Sequence, residues 1–132
     1  MSISVGDTFL YEAPANKRHL HIVVEKIIDS DTCICAFVSS IVSGRGYDRA
    51  CVLDSGDCTF IQHPSYVVYD KLRFFDMHQL EEMISNGIAI KKDHLSDAVI
   101  ERIRNGAIAS KMTHNNFRKY FIKDSKNPEN AS

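Results

Sequence analysis

Short apolar runs separated by turn-forming residues make up most of the first 75 residues of the chain. These runs are rich in Val, Ile, Phe, Tyr and Cys and are bounded by Gly, Pro, Asp and Ser, a pattern that predicts β-strands. The predicted strands cover residues 8–11, 20–28, 32–38, 49–53 and 66–75. Spacings of about 8–15 residues leave no room for helical crossovers between parallel strands, so the pattern predicts a mainly β fold, a small barrel of about five strands.

Two of the predicted strands are apolar at nearly every position instead of alternating. Residues 22–24 are Ile-Val-Val, and residues 33–38 are Cys-Ile-Cys-Ala-Phe-Val. A strand with one face in water would alternate apolar and polar side chains. We therefore expect one face of these strands to line the barrel and the other face to be covered by helices or by a second subunit.

Helical periodicity and capping residues replace the strand pattern after residue 75. Asp76 and Ser96 are suited to cap helix N-termini, and Gly87 and Gly106 are suited to end those helices in a left-handed conformation. We expect Thr113 to begin a third, short helix. The predicted helices cover residues 77–86, 97–105 and 113–121. The chain is thus predicted to form one compact domain over residues 1–123, with a β-barrel portion (1–75), a helical portion (76–123) and a disordered tail (124–132).

Composition and charge narrow the class of protein. The chain has 132 residues, 44% of them hydrophobic and 25% charged, and a formal net charge of −1, which excludes a uniformly basic nucleic-acid binder. A local bias exists at residues 102–126, which hold seven Lys and Arg and one acid. Phe117, Tyr120 and Phe121 interleave with these charges at helical spacing, which favours a packing face over an RNA-binding surface. No apolar run approaches the ~20 residues that span a bilayer, and no basic leader is present, so we expect a cytoplasmic protein with no membrane partner.

The four cysteines raise the question of disulfides or a metal. In a cytosolic chain they are expected to stay reduced. Cys33 and Cys35 are separated by one residue, whereas the cysteine pairs of structural zinc sites have two or more residues between them. We therefore expect no metal and no cofactor. The alternative is a zinc or redox protein that uses Cys33, Cys35, Cys51 and His63.

Polar residues gather where the second predicted strand begins, at Lys17, Arg18, His19 and His21. A guanidinium at the mouth of a strand can bind a phosphate in a planar, bidentate way. A histidine beside it can transfer a proton near neutral pH. The alternative is a solvated, charged strand entrance with two exposed histidines.

A second polar set closes the third predicted strand. Ser39 and Ser40 carry hydroxyls that can donate to a phosphate oxygen. The following loop supplies Arg45 and Tyr47, a cation and a ring on which a single-stranded base can stack. The alternatives are serines that bond to local backbone and an ordinary hairpin loop. The functional interpretation of the serines depends on Arg18 lying nearby.

The order and spacing of four short pieces resemble the PemK/MazF-like toxin family. The pieces are Gly-Asp-Thr-Phe at 6–9, Lys-Arg-His-Leu-His-Ile-Val-Val at 17–24, Cys-Ile-Cys-Ala-Phe-Val-Ser-Ser at 33–40 and Ser-Tyr-Val-Val-Tyr-Asp-Lys-Leu-Arg at 65–73. The resemblance implies an SH3-like barrel that acts as a metal-independent endoribonuclease toxin and cleaves single-stranded RNA by attack of the ribose 2′-hydroxyl. It also implies a homodimer that needs no cofactor and is silenced by a protein antitoxin.

The same resemblance implies roles for individual residues. Arg18 stands at the family's catalytic arginine position, and Ser39 stands where the family has a catalytic threonine. His19 or His21 would act as general acid or base. The residues predicted to bind the RNA are Lys17, Ser40, Arg45 and Tyr47. His19 replaces the family's proline and Ser39 its threonine, so the alternative is a non-catalytic SH3-like module that binds a peptide or nucleic acid.

Overall fold

The structure, a computed structural model, describes residues 2–12 and 17–125. This part of the chain is a mixed α/β protein. Its strands are β1 (Thr8–Glu12), β2 (Arg18–Lys26), β3 (Thr32–Ser40), β4 (Val52–Leu53), β5 (Ser65–Val67), β6 (Arg73–Asp76) and β7 (Ile90–Lys91). Its helices are α1 (Met77–Ser85), α2 (Asp97–Ala109) and α3 (Asn115–Ser125), and a 3-10 turn (Tyr69–Lys71) lies between β5 and β6. Over these residues, no helix is both long enough and apolar enough to cross a membrane.

The central strand of the antiparallel sheet is β3. The strand order is β4-β5-β3-β2-β1-β7, and β6 also pairs with β3. Along its edge opposite β2, β3 carries two partners, because residues 32–35 pair with β6 and residues 38–40 pair with β5. β4 and β7 lie at the two ends of the order. The pairing therefore establishes an antiparallel sheet, and the small barrel stays a prediction.

The prediction of one strand over residues 66–75 is wrong, because two partners of β3 divide this segment. Val67 at the end of β5 pairs with Val38, whereas Arg73 in β6 pairs with Cys35. Val67 and Arg73 are six residues apart in the chain, but their pairing partners on β3, residues 38 and 35, are only three residues apart. The 3-10 turn takes up the three extra residues. The other strands that were poorly predicted, β4 and β7, are two residues long, too short to show periodicity.

Both faces of β2 and β3 are buried, as their uninterrupted apolar runs predicted, and helices provide the cover. Alternate residues of each strand face different clusters, because successive strand side chains point to opposite faces. The cluster beneath α2 and α3 includes Leu20, Ile22, Val24, Ile34, Ala36, Val38, Ile103 and Phe121. The cluster beneath α1 includes Phe9, Val23, Cys33, Cys35, Phe75 and Leu80.

The first two helices begin directly after the N-cap residues that were predicted from the sequence. The Asp76 carboxylate accepts a hydrogen bond from the Gln79 amide at 3.0 Å, and the Ser96 hydroxyl accepts one from the Val99 amide at 3.2 Å. Gly87 follows α1 with φ +79°, the left-handed conformation expected of a helix stop. The boundaries of α1 are thus predictable from its own residues.

The prediction that Gly106 ends the second helix is wrong, since α2 continues to Ala109. Gly106 lies against Tyr69, and a Cβ at this position would overlap the Tyr69 hydroxyl. That hydroxyl donates a hydrogen bond to the Ile103 carbonyl at 2.7 Å. The glycine is therefore required for the close approach of Tyr69 to α2, and its role depends on a contact with a distant part of the chain.

The aromatic residues of α3 pack into the core, as their spacing predicted. Phe117 and Phe121 are buried, and α3 begins at Asn115, two residues after Thr113. The helix runs to Ser125, so the first two residues of the predicted tail (124–132) are helical. Residues 126–132 lie outside the described residues.

Candidate functional site

A cleft opens where β2 and β3 stop pairing. The β2–β3 register ends at His21 opposite Phe37. Beyond this pair, β2 extends towards its beginning at Arg18 alongside β1, while β3 continues to Ser40 alongside β5. The two strand ends, with the loop after β3 and the segment before β5, line a cavity of about 630 Å³.

Seven of the eight residues predicted to form a site line this cavity. They are Lys17, Arg18, His19, Ser39, Ser40, Arg45 and Tyr47. Arg18 and Ser39, which come from different strands, both line the same open cleft. The residues that the functional interpretation of the serines requires to be close therefore line the same cavity.

The charge of the cleft is positive. Lys17, Arg18 and Arg45 line it, and no Asp or Glu is among the described residues that do so. Within the described part of the chain, Arg18 forms an ion pair with Glu12 at 3.9 Å, in which both side chains are more than half exposed. Such exposed pairs are weak, so this contact leaves the guanidinium available to another anion. The cleft is therefore suited to a phosphate or another anionic ligand.

Aromatic side chains form part of the cleft wall. The Tyr47 and Tyr66 ring centroids are 5.5 Å apart. The Arg49 guanidinium lies 4.5 Å from the Tyr47 centroid and donates a hydrogen bond to the Tyr47 hydroxyl at 2.9 Å. Phe60 also lines the cleft and is 42% exposed. Exposed rings next to cations are the composition that binds unpaired bases.

Sequence reasoning missed Phe60 and Tyr66 as site residues. Tyr66 was counted within a predicted strand, and Phe60 follows a turn without any motif. An apolar side chain in a β-rich sequence is most simply interpreted as core. Only the position of β5 and the segment before it, opposite the beginning of β2, reveals that these rings face a cavity.

His19 is half-buried at the cleft, with its ring centroid 4.5 Å from that of Phe37. Burial lowers its pKa, and the nearby Lys17 ammonium lowers it further, while a hydrogen bond from the ring to the Val38 backbone acts in the opposite direction. The ring is therefore neutral near pH 7. One ring nitrogen donates to the Val38 carbonyl, and the other nitrogen holds a lone pair that can accept a proton.

The structure removes His21 from the candidate site. Its ring is 1% exposed and packs 5.2 Å from the Phe9 centroid and 5.6 Å from the Phe37 centroid, beneath α1. Its Nδ1–H donates to the His19 carbonyl at 3.0 Å. Burial lowers its pKa to about 4. Strand alternation correctly placed His19 and His21 on one face, but that face is covered at His21 and open only at His19.

We expect neutral, buried His21 to make folding less favourable in acid. Its pKa is about 4 in the folded protein and about 6.5 in an unfolded chain. The unfolded state therefore binds a proton first, and stability present above about pH 6.5 is lost as the pH falls towards 4. The loss amounts to about 3 kcal/mol.

Urea unfolding of the wild type and of His21→Phe at pH 7, 5.5 and 4.5 checks this expectation. The Phe variant keeps a ring in the aromatic cluster and all the carboxylates, so its stability should depend less on pH. Equal slopes in the two proteins would contradict the assignment.

The four cysteines do not assemble the alternative metal site. Cys33 and Cys35 lie in the cluster beneath α1 with their Sγ atoms 3.9 Å apart, whereas Cys51 and Cys58 lie in the cluster beneath α2. All four are free and buried. Within the described ranges, no three His, Cys, Asp or Glu side chains are grouped so that they could hold a metal ion.

The arginines of α2 and α3 are used in the fold. Arg102 donates to the Asp57 carboxylate at 2.6 Å, and Arg118 donates to the Ser110 carbonyl at 2.6 Å. Arg104 forms an ion pair with Glu25 on β2. These arginines attach the helices to the sheet and loops.

Comparison of the sequence with protein-family models finds no matching family, and comparison with curated proteins finds no match. The resemblance to the PemK/MazF-like toxins therefore rests on the four sequence pieces and their order. The geometry of the cleft is an independent observation, because it follows from strand pairing and not from the resemblance.

Proposed function

We propose that this protein is a metal-independent endoribonuclease toxin that binds single-stranded RNA in the cleft between the ends of β2 and β3. The observation that supports the proposal is that Arg18, Ser39 and His19 line one open cleft, which no Asp or Glu of the described chain lines. Residues of these three types supply a charge clamp, a hydroxyl donor and a proton acceptor, three of the groups that RNA cleavage by the 2′-hydroxyl uses.

Each group has a defined part in the proposed reaction. The Arg18 guanidinium binds two phosphate oxygens and stabilises the negative charge that grows on them as the 2′-oxygen attacks phosphorus. The Ser39 hydroxyl donates to a non-bridging oxygen. The neutral His19 ring accepts the 2′-hydroxyl proton. Lys17, Arg45 and Ser40 hold neighbouring phosphates, and the rings of Tyr47 and Tyr66 stack on unpaired bases.

The family resemblance adds a fold, an oligomeric state and an inhibitor to the proposal. The sheet would close into an SH3-like barrel, the active form would be a homodimer, and a protein antitoxin would block the cleft in the cytoplasm. Light scattering of the purified protein measures the oligomer. Co-expression of the neighbouring open reading frame, with growth as the readout, reveals an antitoxin.

A non-catalytic module that binds nucleic acid or peptide is the second candidate. Val42 and Phe60, which are 50% and 42% exposed, add apolar surface to the cleft. Such surface serves binding directly, whereas the chemistry of cleavage does not need it. The two candidates share the cleft and differ in whether the bound RNA is broken.

The test of the proposal is incubation of the full chain with mixed-sequence single-stranded RNA in the presence of EDTA. We expect fragments that end in a 2′,3′-cyclic phosphate and begin with a 5′-hydroxyl. The matched controls are the same sequences as DNA and as 2′-O-methyl RNA, which lack the nucleophile and should stay intact. Saturable binding of RNA without cleavage would overturn the proposal in favour of the binding module.

A further inference from the structure

We infer that His63 is the general acid of this cleavage, acting opposite His19 as the general base. The inference rests on the proposed function and adds to it the second proton-transfer group that the departing oxygen needs. His63 belongs to none of the sequence pieces that carry the family resemblance.

His19 and His63 are the histidines of the described chain that line the cleft. The other histidines lie in the core, beside a carboxylate or ahead of α3: His21, His78, His94 and His114. Cleavage without a metal needs one group to take the 2′-hydroxyl proton and one to protonate the leaving oxygen. The cleft presents two imidazoles for these two tasks.

The two histidines come from opposite walls. His19 is on β2 and His63 precedes β5, and β3 lies between these strands in the sheet. Ser39 and Ser40 at the end of β3 therefore lie between the two imidazoles in the strand order, and all four residues line the same cavity. A phosphate bound at the serines would have one imidazole on each side, which is the arrangement required when the attacking and leaving oxygens are in line.

The His63 backbone is held in place while its ring is open. The Ser65 hydroxyl donates to the His63 carbonyl at 2.9 Å, and the next carbonyl, that of Pro64, accepts from the Ile41 amide at 2.9 Å. Among the residues that the structure describes, no hydrogen bond, ion pair or ring contact engages the exposed His63 side chain. The charged groups that face it across the cleft are Lys17, Arg18 and Arg45.

The proposed step balances without a further reactant. The 2′-oxygen forms a bond to phosphorus as its proton passes to His19, and the bond from phosphorus to the 5′-oxygen breaks as His63 donates a proton to that oxygen. The products are a 2′,3′-cyclic phosphate and a 5′-hydroxyl. Exchange with water then removes the proton from His19 and returns one to His63.

The test compares two kinds of substrate in wild type and His63→Ala. RNA has a poor leaving group that needs a proton, whereas the four ribonucleoside 3′-(4-nitrophenyl phosphates) release nitrophenolate, which needs none. We expect kcat on RNA to fall by about 100-fold or more in His63→Ala, and kcat on the nitrophenyl esters to change by less than about 3-fold. His19→Ala should be slow on both substrates. His114→Ala, an exposed histidine outside the cleft, is the matched control and should behave as wild type.

Three outcomes are informative. Wild-type cleavage of RNA with undiminished cleavage by His63→Ala would overturn this inference and leave the proposed function standing. Loss of both activities in His63→Ala, with nitrophenyl ester cleavage retained in His19→Ala, would overturn the assignment by reversing the two roles. An inactive wild type would overturn the proposed function itself.

Discussion

Replacement of Arg18 by alanine should lower the rate of RNA cleavage by about 100- to 1000-fold, the usual effect of removing one donor that stabilises charge in a transition state. The guanidinium is the cation whose position matches the catalytic arginine implied by the family resemblance, and it lines the cleft beside His19. The effect should appear mainly in kcat, because the charge that Arg18 stabilises is greatest in the transition state.

Stability should be nearly unchanged in Arg18→Ala, so that loss of activity can be assigned to chemistry. The pair with Glu12 is long at 3.9 Å and largely exposed, and such pairs contribute about 1 kcal/mol or less. Urea unfolding checks this point. Arg73→Ala removes an exposed arginine outside the cleft and should cleave as wild type. Arg18→Lys keeps the charge but loses the bidentate geometry and should be intermediate. If Arg18→Ala cleaved RNA at the wild-type rate, Arg18 would have no role in the reaction.

Breaking the ion pair between Glu25 and Arg104 should cost about 3–5 kcal/mol of folding free energy. The side chains are 10% and 17% exposed, and the pair joins β2 to α2. Glu25 follows the irregularity in β2 between Val23 and Glu25. Removal of Arg104 leaves the Glu25 carboxylate buried without its ion-pair partner. Because small domains are stable by about 5–15 kcal/mol, Arg104→Met should be visibly less stable in urea unfolding.

A matched substitution on α2 tests whether the cost of breaking an ion pair depends on how deeply the pair is buried. Arg102 pairs with Asp57 at 2.6 Å, but its side chain is 48% exposed, and the Asp57 carboxylate, which is 15% exposed, also accepts a hydrogen bond from the Asp54 amide at 3.0 Å. Arg102→Met should therefore cost about 1 kcal/mol. The double variant Glu25→Gln/Arg104→Met should be more stable than Arg104→Met, since it leaves no unpaired charge. Equal losses in Arg102→Met and Arg104→Met would show that burial of the pair does not matter.

Features that depend on neighbouring residues were predictable from the sequence. The uninterrupted apolar runs of β2 and β3 correctly indicated burial on both faces. Asp76 and Gly87 correctly marked α1 to within one residue. In both cases the physical cause lies in side chains a few residues apart, through face alternation or a capping hydrogen bond.

Features that depend on distant partners were not predictable in this way. Gly87 and Gly106 both follow an asparagine, yet one ends a helix and the other lies within one, because Tyr69 packs against the second. The break in the segment 66–75 is imposed by the register of β3. His21 has the same local pattern as His19, and only the cover provided by Phe9 and Phe75 distinguishes them.

The candidate site was predicted in part for the same reason. The polar and charged members of the cleft were recognisable because charged and hydroxyl side chains at strand ends are conspicuous. Phe60 and His63 were not recognised as members of the cleft, since neither belongs to a motif and their position depends on how the segment before β5 crosses the end of β3.

The close approach of Tyr69 to Gly106 affects how a mutational scan of this protein should be interpreted. Tyr69 follows Tyr66 by three residues, so the helix surface at Gly106 and the aromatic wall of the cleft are mechanically connected through one short piece of backbone. A bulky side chain introduced at Gly106 must push Tyr69 away and shift that wall. Loss of activity in such variants would therefore result from distortion of the aromatic wall of the cleft. It would not show that RNA contacts α2.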